Sequence, residues 1–249
     1  MTHAEARVDA FTDSEFRIGK VLSKSMSVFF QNFVTFTLIA GLVALPTIAF
    51  TAMEPGAQPT PEDIYKIFGA IALMFFLSPL ATAIILHAAF QHMRGRTVRL
   101  MESVSGGLWR FLPLLGVMFL FGLGVSLGLL LLIVPGLILM AMWYVSVPAC
   151  VVEKTGPIRS LGRSRELTKG YRWKIFALVI IVYIVSIIGN NLVVLLATTL
   201  GGMAGQIGAM IIWQGVAGGF GSVLIAVAYY YLRVAKEGVD VEQIASVFD

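Results

Sequence analysis

The sequence predicts an all-α fold: a polytopic membrane bundle of six transmembrane helices, arranged as three hairpins with short interfacial amphipathic helices. Three observations carry this prediction. First, 58% of the 249 residues are hydrophobic and only 13% are charged, with a mean hydropathy of +0.87, whereas soluble domains carry about 25% charge. Second, no Asp, Glu, Lys, Arg or His occurs between Phe111 and Val152, a stretch about twice the ~20 residues that one crossing needs. Third, the basic residues gather in alternate connections between the apolar runs. The net charge of +4 and the pI of 9.3 then belong to the cytoplasmic loops of a membrane protein, and nucleic acid is not an expected partner.

Taken in order, residues 1–15 read as a flexible cytoplasmic N-terminus. Residues 1–32 hold four acids and lack a short apolar core ending in a small-residue cleavage site, so neither a signal nor a transit peptide is expected. Residues 16–236 form the six-span membrane domain, and 237–249 a cytoplasmic tail. In FRIGKVLSKSMSVFF, at 100° per residue, Ile18, Val21, Leu22, Met26 and Phe29 share one side, and Arg17, Lys20, Lys24 and Ser27 the other. That is the pattern of an interfacial helix. Spans are expected at Phe33 to Met53, Tyr65 to Gln91, Phe111 to Val134, Leu137 to Val152, Ile175 to Thr199 and Gly208 to Leu232. Pro135-Gly136 reads as the tight turn between the third and fourth.

The segment SLGRSRELTKGYRW predicts a further helix lying along the membrane surface, with Pro157 in its first turn and Gly170 ending it. A third stretch, RLMESVSGGLWRF, repeats the pattern before the third span. Units starting near Arg17, Arg99 and Arg159 make a weak internal repeat, which the common needs of cytoplasmic hairpins would also produce.

Seventeen of the 18 basic residues fall before the first span, in the second-to-third and fourth-to-fifth connections, or after the last span; the exception is Lys66. Because cytoplasmic loops retain Lys and Arg, both termini are expected in the cytoplasm and Gly56 to Asp63 on the opposite side.

The candidate lipid-headgroup residues are Arg17, Lys20 and Lys24 in the first interfacial segment, and Arg159, Arg163, Arg165, Lys169, Arg172 and Lys174 in the basic connection. The plainer reading of these is topological anchoring alone. Intramembrane polar candidates are Asn190, Asn191, Gln214 and Ser78, for which interhelical hydrogen bonding is the plainer reading. Pro46, Pro79 and Pro148 are expected to kink their spans. Gly124 and Gly128, and again Gly215 and Gly219, have the GxxxG spacing that lets helix backbones approach closely.

Catalytic groupings are sparse. His87 and His92 are five residues apart and turn to different faces of a helix, the glycine groups GGFGS and SGG lack a P-loop lysine, and the single cysteine, Cys150, has neither a disulfide nor a metal partner. No enzyme activity, metal or cofactor is expected. The partners expected are membrane lipids, anionic phospholipids above all, with a second copy or another membrane protein left open.

The runs SLGRSRELTKGYRWKIFALVI and AYYYLRVAKEGVDVE resemble an uncharacterised bacterial six-span family related to the membrane domain attached to some glycerophosphoryl diester phosphodiesterases. The similarity in pattern extends from about Phe16 to Glu242. It implies the six-span fold and a bacterial inner-membrane location. In the fusions the hydrolase is a separate domain with no counterpart here, so the resemblance supplies no catalytic residue. The function expected is therefore a lipid-associated scaffold or accessory subunit, with a small transporter or channel near Asn190, Asn191 and Gln214 as the alternative.

Overall fold

The computed structural model describes residues 16–47, 60–93 and 110–238. Among these residues all regular structure is helical. Eight α-helices follow one another: α1 (Ile18–Gln31), α2 (Phe33–Ala44), α3 (Pro61–Met93), α4 (Phe111–Leu131), α5 (Ile133–Met142), α6 (Ser146–Val152), α7 (Pro157–Thr168) and α8 (Arg172–Glu237). Five stretches are long and apolar enough to cross a membrane: α3, α4, α5 with α6, and the two arms of α8, Arg172–Thr199 and Gly205–Glu237; the count reaches six if the bent pair α1 and α2 is taken as one span. The chain is thus an all-α polytopic bundle. The first expected span is described only as far as Thr47, and the middle interfacial segment, with Arg94, Arg96 and Arg99, lies outside the described residues, as do His3, Gly56 and the tail beyond Gly238.

Helix α1 meets α2 at 90°. Asn32 marks the corner, its backbone N–H donating to the Phe29 carbonyl and its side-chain amide to the Val28 carbonyl at 3.2 Å.

Two boundaries differ from expectation. The turn between the third and fourth spans is at Leu132, whose backbone is extended (φ −158, ψ 138), while Pro135 and Gly136 are already in α5. The dipeptide is ambiguous in sequence because Pro is also favoured in a first helical turn, where its missing N–H costs nothing. Gly136 is needed for a different reason: a Cβ there would fall 2.5 Å from Leu129 Cγ. The fourth span is also interrupted between α5 and α6, at Trp143 to Val145. Pro148 has no N–H to bond to the Tyr144 carbonyl and is tolerated only because the helix restarts at Ser146, placing Pro148 in a first turn.

The fifth and sixth expected spans both lie in the 66 residues assigned to α8, as its arms Arg172–Thr199 and Gly205–Glu237. Straight, that helix would reach roughly 100 Å. It doubles back instead, as the contact of Gly189 with the Trp213 ring and of Gly205 with the Ala197 carbonyl requires.

The packed core lies at the basic end of the bundle, where α1, α6, α7, the C-terminal half of α3 and the end of α8 meet. Phe16, Phe29, Phe36, Leu86, Phe90, Leu167, Ile175 and Tyr229 are all buried there. The first arm of α8 is the opposite case: only 6% of its most apolar window is buried, leaving Ile180, Tyr183, Val185, Ile188, Leu192 and Leu196 facing outward.

Candidate functional site

Helix α7 forms as its sequence suggests, with Pro157 at its start, a Gly156 N-cap and Gly170 just beyond its end at φ +89. Its seat was not anticipated. The face carrying Ser160, Leu161, Ser164, Leu167 and Thr168 is buried against the bundle, and Arg159, Arg165 and Lys169 face outward. Ser164 Oγ donates to the Met142 carbonyl (2.9 Å) and accepts from the Val145 N–H (3.2 Å), while the Thr168 hydroxyl is shared between the Ser164 carbonyl of its own helix (2.9 Å) and that of Met142 (3.1 Å). The Met142 carbonyl and the Val145 N–H are backbone groups released by the break between α5 and α6, and in an apolar setting each must find a partner. The inward face of α7 therefore joins two leucines to three small hydroxyls, two of which serve the broken backbone, while its charged residues other than Arg163 face outward. Gly116 admits the start of α7, since a Cβ there would fall 2.7 Å from Pro157 Cγ.

Arg163 is turned inward within this basic helix. Its Nε donates to Glu153 Oε1 at 2.7 Å and its Nη2 to Glu237 Oε1; Glu237 Oε2 accepts from Arg233 Nε at 2.9 Å, and Tyr229 Oη donates to Glu153 Oε1 at 3.0 Å. The resulting clasp ties the end of α6, the middle of α7 and the end of α8 together with two acids and two bases. Burial alone would lower the Arg163 pKa, but its hydrogen bonds to Glu153 and Glu237 outweigh that and raise it above the ordinary value. Its charge is permanent and locally neutralised. Glu153 and Glu237 were not singled out in the sequence, because acids so far apart in the chain carry no local signal of meeting.

The other candidate headgroup residues divide by environment. Arg17, Lys24, Arg159, Arg165 and Lys169 are exposed, and Lys20 is half-buried. Lys174 Nζ donates to the Phe16 carbonyl at 3.2 Å and lies 5.7 Å from the centre of the Tyr171 ring, over which Lys236 is also placed. Arg172 is half-buried, and its Nε is enclosed without a hydrogen-bond partner among the described residues.

Two apolar grooves open on the elements that carry these cations. One, of about 400 Å³, runs between α1 (Leu22, Met26, Phe29, Phe30) and both arms of α8 (among others Val182, Trp213, Phe220). The other, of about 380 Å³, lies between α5 and the start of α8. A third pocket, of about 190 Å³, is partly polar. It lies between α2, α3 and the second arm of α8, and brings together Ser78 and Gln214 with Thr82 and Ser222. Asn190 and Asn191 do not line it: Asn191 is exposed and donates to its own helix at the Ile187 carbonyl, 2.8 Å away. Thr82 and Ser222 escaped notice in the sequence because single hydroxyls in apolar helices ordinarily bond their own backbone, as Ser222 does to Gly218.

The four glycines at GxxxG spacing all sit at close contacts within the chain. A Cβ on Gly215 would fall 2.7 Å from the Thr37 carbonyl oxygen, and one on Gly219 would fall 3.0 Å from that of Phe36 and 3.1 Å from the Phe29 ring. Gly124 lies against the Trp143 ring, and Gly128 faces Gly136, whose Cα would be 2.9 Å from an added Cβ.

A bundle of this composition, with long apolar arms facing outward and its cations at one end, is a multi-pass helical membrane protein. Residues 98–232, more than half of the chain, match the family described as Domain of unknown function (DUF7847), and the chain belongs to that family. No curated protein and no solved structure matches the chain.

Proposed function

We propose that this is a non-enzymatic, lipid-associated scaffold or accessory subunit of a bacterial inner membrane, with both termini cytoplasmic and with α1 and α7 holding anionic headgroups. The observation that carries the reading is the right-angled junction of α1 with α2, which lays an amphipathic helix with Arg17 and Lys24 exposed over an apolar groove. Interfacial helices of this kind bind by buried apolar area plus attraction to anionic lipid. The bacterial setting and the likeness to the membrane domain attached to some glycerophosphoryl diester phosphodiesterases rest on the two resembling segments; the family match carries no activity. The orientation rests on the distribution of Lys and Arg.

The test uses the three exposed cations of α7. Each basic residue near an anionic surface contributes ~1 kcal/mol, so changing Arg159, Arg165 and Lys169 to Gln weakens headgroup attraction by ~3 kcal/mol, roughly 100-fold. Cardiolipin and phosphatidylglycerol carried through purification at low salt should fall accordingly. Equal lipid content in the variant and the parent would reduce the basic helix to a topological anchor.

A second reading, a small transporter or channel, is favoured by the pocket among Ser78, Thr82, Gln214 and Ser222. Polar side chains gathered between membrane helices commonly line solute paths. Solute or ion flux in proteoliposomes that Gln214→Leu abolishes would support it, and flux no greater than that of empty liposomes would sink it.

A further inference from the structure

We propose that the groove between α5 and the start of α8 is a discrete binding site for one anionic phospholipid, whose phosphate sits on Arg172 and whose acyl chain lies along α5. The inference rests on the lipid-associated reading above and narrows it to one site and one ligand class. The groove has a volume of about 380 Å³, and its walls are Val134, Leu137, Ile138 and Ala141 on one side, with Trp173 and Phe176 on the other. All are apolar or aromatic. Arg172 supplies the one charged side chain of the lining, and its Nε is shielded from solvent yet unpaired among the described residues.

A guanidinium whose Nε is enclosed without an acceptor is costly to bury, and an anion held by its outer nitrogens would offset that cost. The fork of the guanidinium suits phosphate. What lies beside that anion is mainly hydrocarbon, because apart from the Trp173 indole N–H the remaining side chains of the lining are apolar. The groove also opens on a face that the bundle leaves uncovered: Val134, Ile138 and Trp173 are exposed, Trp173 by 84%. Arg172 begins a span of 28 residues, about 42 Å of helix against ~30 Å of hydrocarbon core, so it reaches the headgroup level while Phe176, one turn on, enters the apolar layer. Tryptophan beside it is the residue type enriched at that depth. A phosphate joined to acyl chains satisfies both parts of the site, and free phosphate only one.

The experiment is native mass spectrometry of the full chain, delipidated in detergent and titrated with phosphatidylglycerol. Diacylglycerol and inorganic phosphate serve as controls that carry one half of the ligand each. One phosphatidylglycerol should remain bound through a 0.5 M salt wash, and neither control should displace it. Arg172→Gln should lower its occupancy by at least about tenfold, the loss of a charge-assisted contact, and Ile138→Trp, which fills the groove without touching the charge, should abolish it. Displacement by inorganic phosphate alone would overturn the acyl half of the proposal. Salt-resistant binding that neither substitution changes would overturn the site itself. Lipid bound at low salt but wholly lost in the wash also overturns the site, yet leaves the broader reading standing, whereas no anionic lipid bound at any salt defeats both.

Discussion

Helices α1 and α7 look alike in sequence, both short, basic on one side and placed just before a span, yet they are held by opposite means. α1 buries Val21, Ser25, Val28 and Phe29 and is anchored by aromatic packing, with the Phe29 ring 5.7 Å from that of Phe220. α7 buries Leu161 and Leu167 as well, but adds two serines and a threonine, and is anchored by hydrogen bonds to a broken stretch of backbone and by an ion-pair clasp. An amphipathic pattern therefore tells which residues leave water but not what they meet. The apolar side of α1 is itself divided: Val21 and Phe29 turn to the bundle, while Met26, expected on the same face, is 49% exposed. A helix that both packs on protein and lies in lipid must share its apolar stripe between the two.

The contrast can be broken by substitution. The largest effect is expected from Ser164→Ala with Thr168→Val, which orphans the Met142 carbonyl and the Val145 N–H at once. At about 1–3 kcal/mol for each unsatisfied buried group, the loss is about 2–6 kcal/mol. It should be read as a large drop in the thermal midpoint in detergent, and an unchanged midpoint would mean that water replaces the hydroxyls. Arg163→Gln comes next. It leaves Glu153 and Glu237 facing each other without their shared cation, at a cost of about 2–3 kcal/mol. That is below the usual 3–5 for a buried pair, because 24% of the Arg163 side chain stays open to water. Gln at Glu153 as well should recover part of the loss in a double-mutant cycle.

Gly219→Leu sharpens the comparison from the other side. It forces α8 away from both the Phe36 carbonyl and the Phe29 ring, so α1 and α2 should loosen together at about 1–3 kcal/mol while the seat of α7 is untouched. Hydrogen exchange of α1 against α7 measures this, and equal deprotection of the two would contradict it. The smallest effect is expected for Ser25→Ala. Its hydroxyl bonds only the Val21 carbonyl of its own helix, so its loss orphans nothing and should cost less than about 1 kcal/mol. A cost as large as that of Ser164→Ala would erase the distinction between the helices.

The parts of the fold governed by local chemistry were legible in the sequence. Apolar length marks the spans, and Pro157 with Gly170 brackets α7 because each acts on its own backbone. What the sequence does not display are contacts whose partner is a main-chain group or a distant acid. Ser164 and Thr168 look like solvent-facing residues of a charged helix, and nothing in MWYV announces a carbonyl in need of a donor. One signal was present: Ser160, Ser164 and Thr168 recur every fourth residue, on a face that avoids Arg159, Arg165 and Lys169. For the site residues, polarity alone singles out Asn190, Asn191, Gln214 and Ser78, but only the fold shows that Ser78 and Gln214 meet, together with Thr82 and Ser222, while the two asparagines lie elsewhere.

The way α7 closes the break at Met142 also imposes an order in time. Ser164 leaves the ribosome 22 residues after Met142, roughly 1–4 s later at ordinary rates of synthesis. During that interval the released carbonyl and N–H have no protein partner, and the half-made fourth span is better hydrated than buried. The descending arm of this hairpin should therefore settle only once the basic helix has been made and folded back against it. A chain halted between Val152 and Ser164 is then a membrane protein with an open seam, its Met142 carbonyl and Val145 N–H still waiting for their hydroxyl.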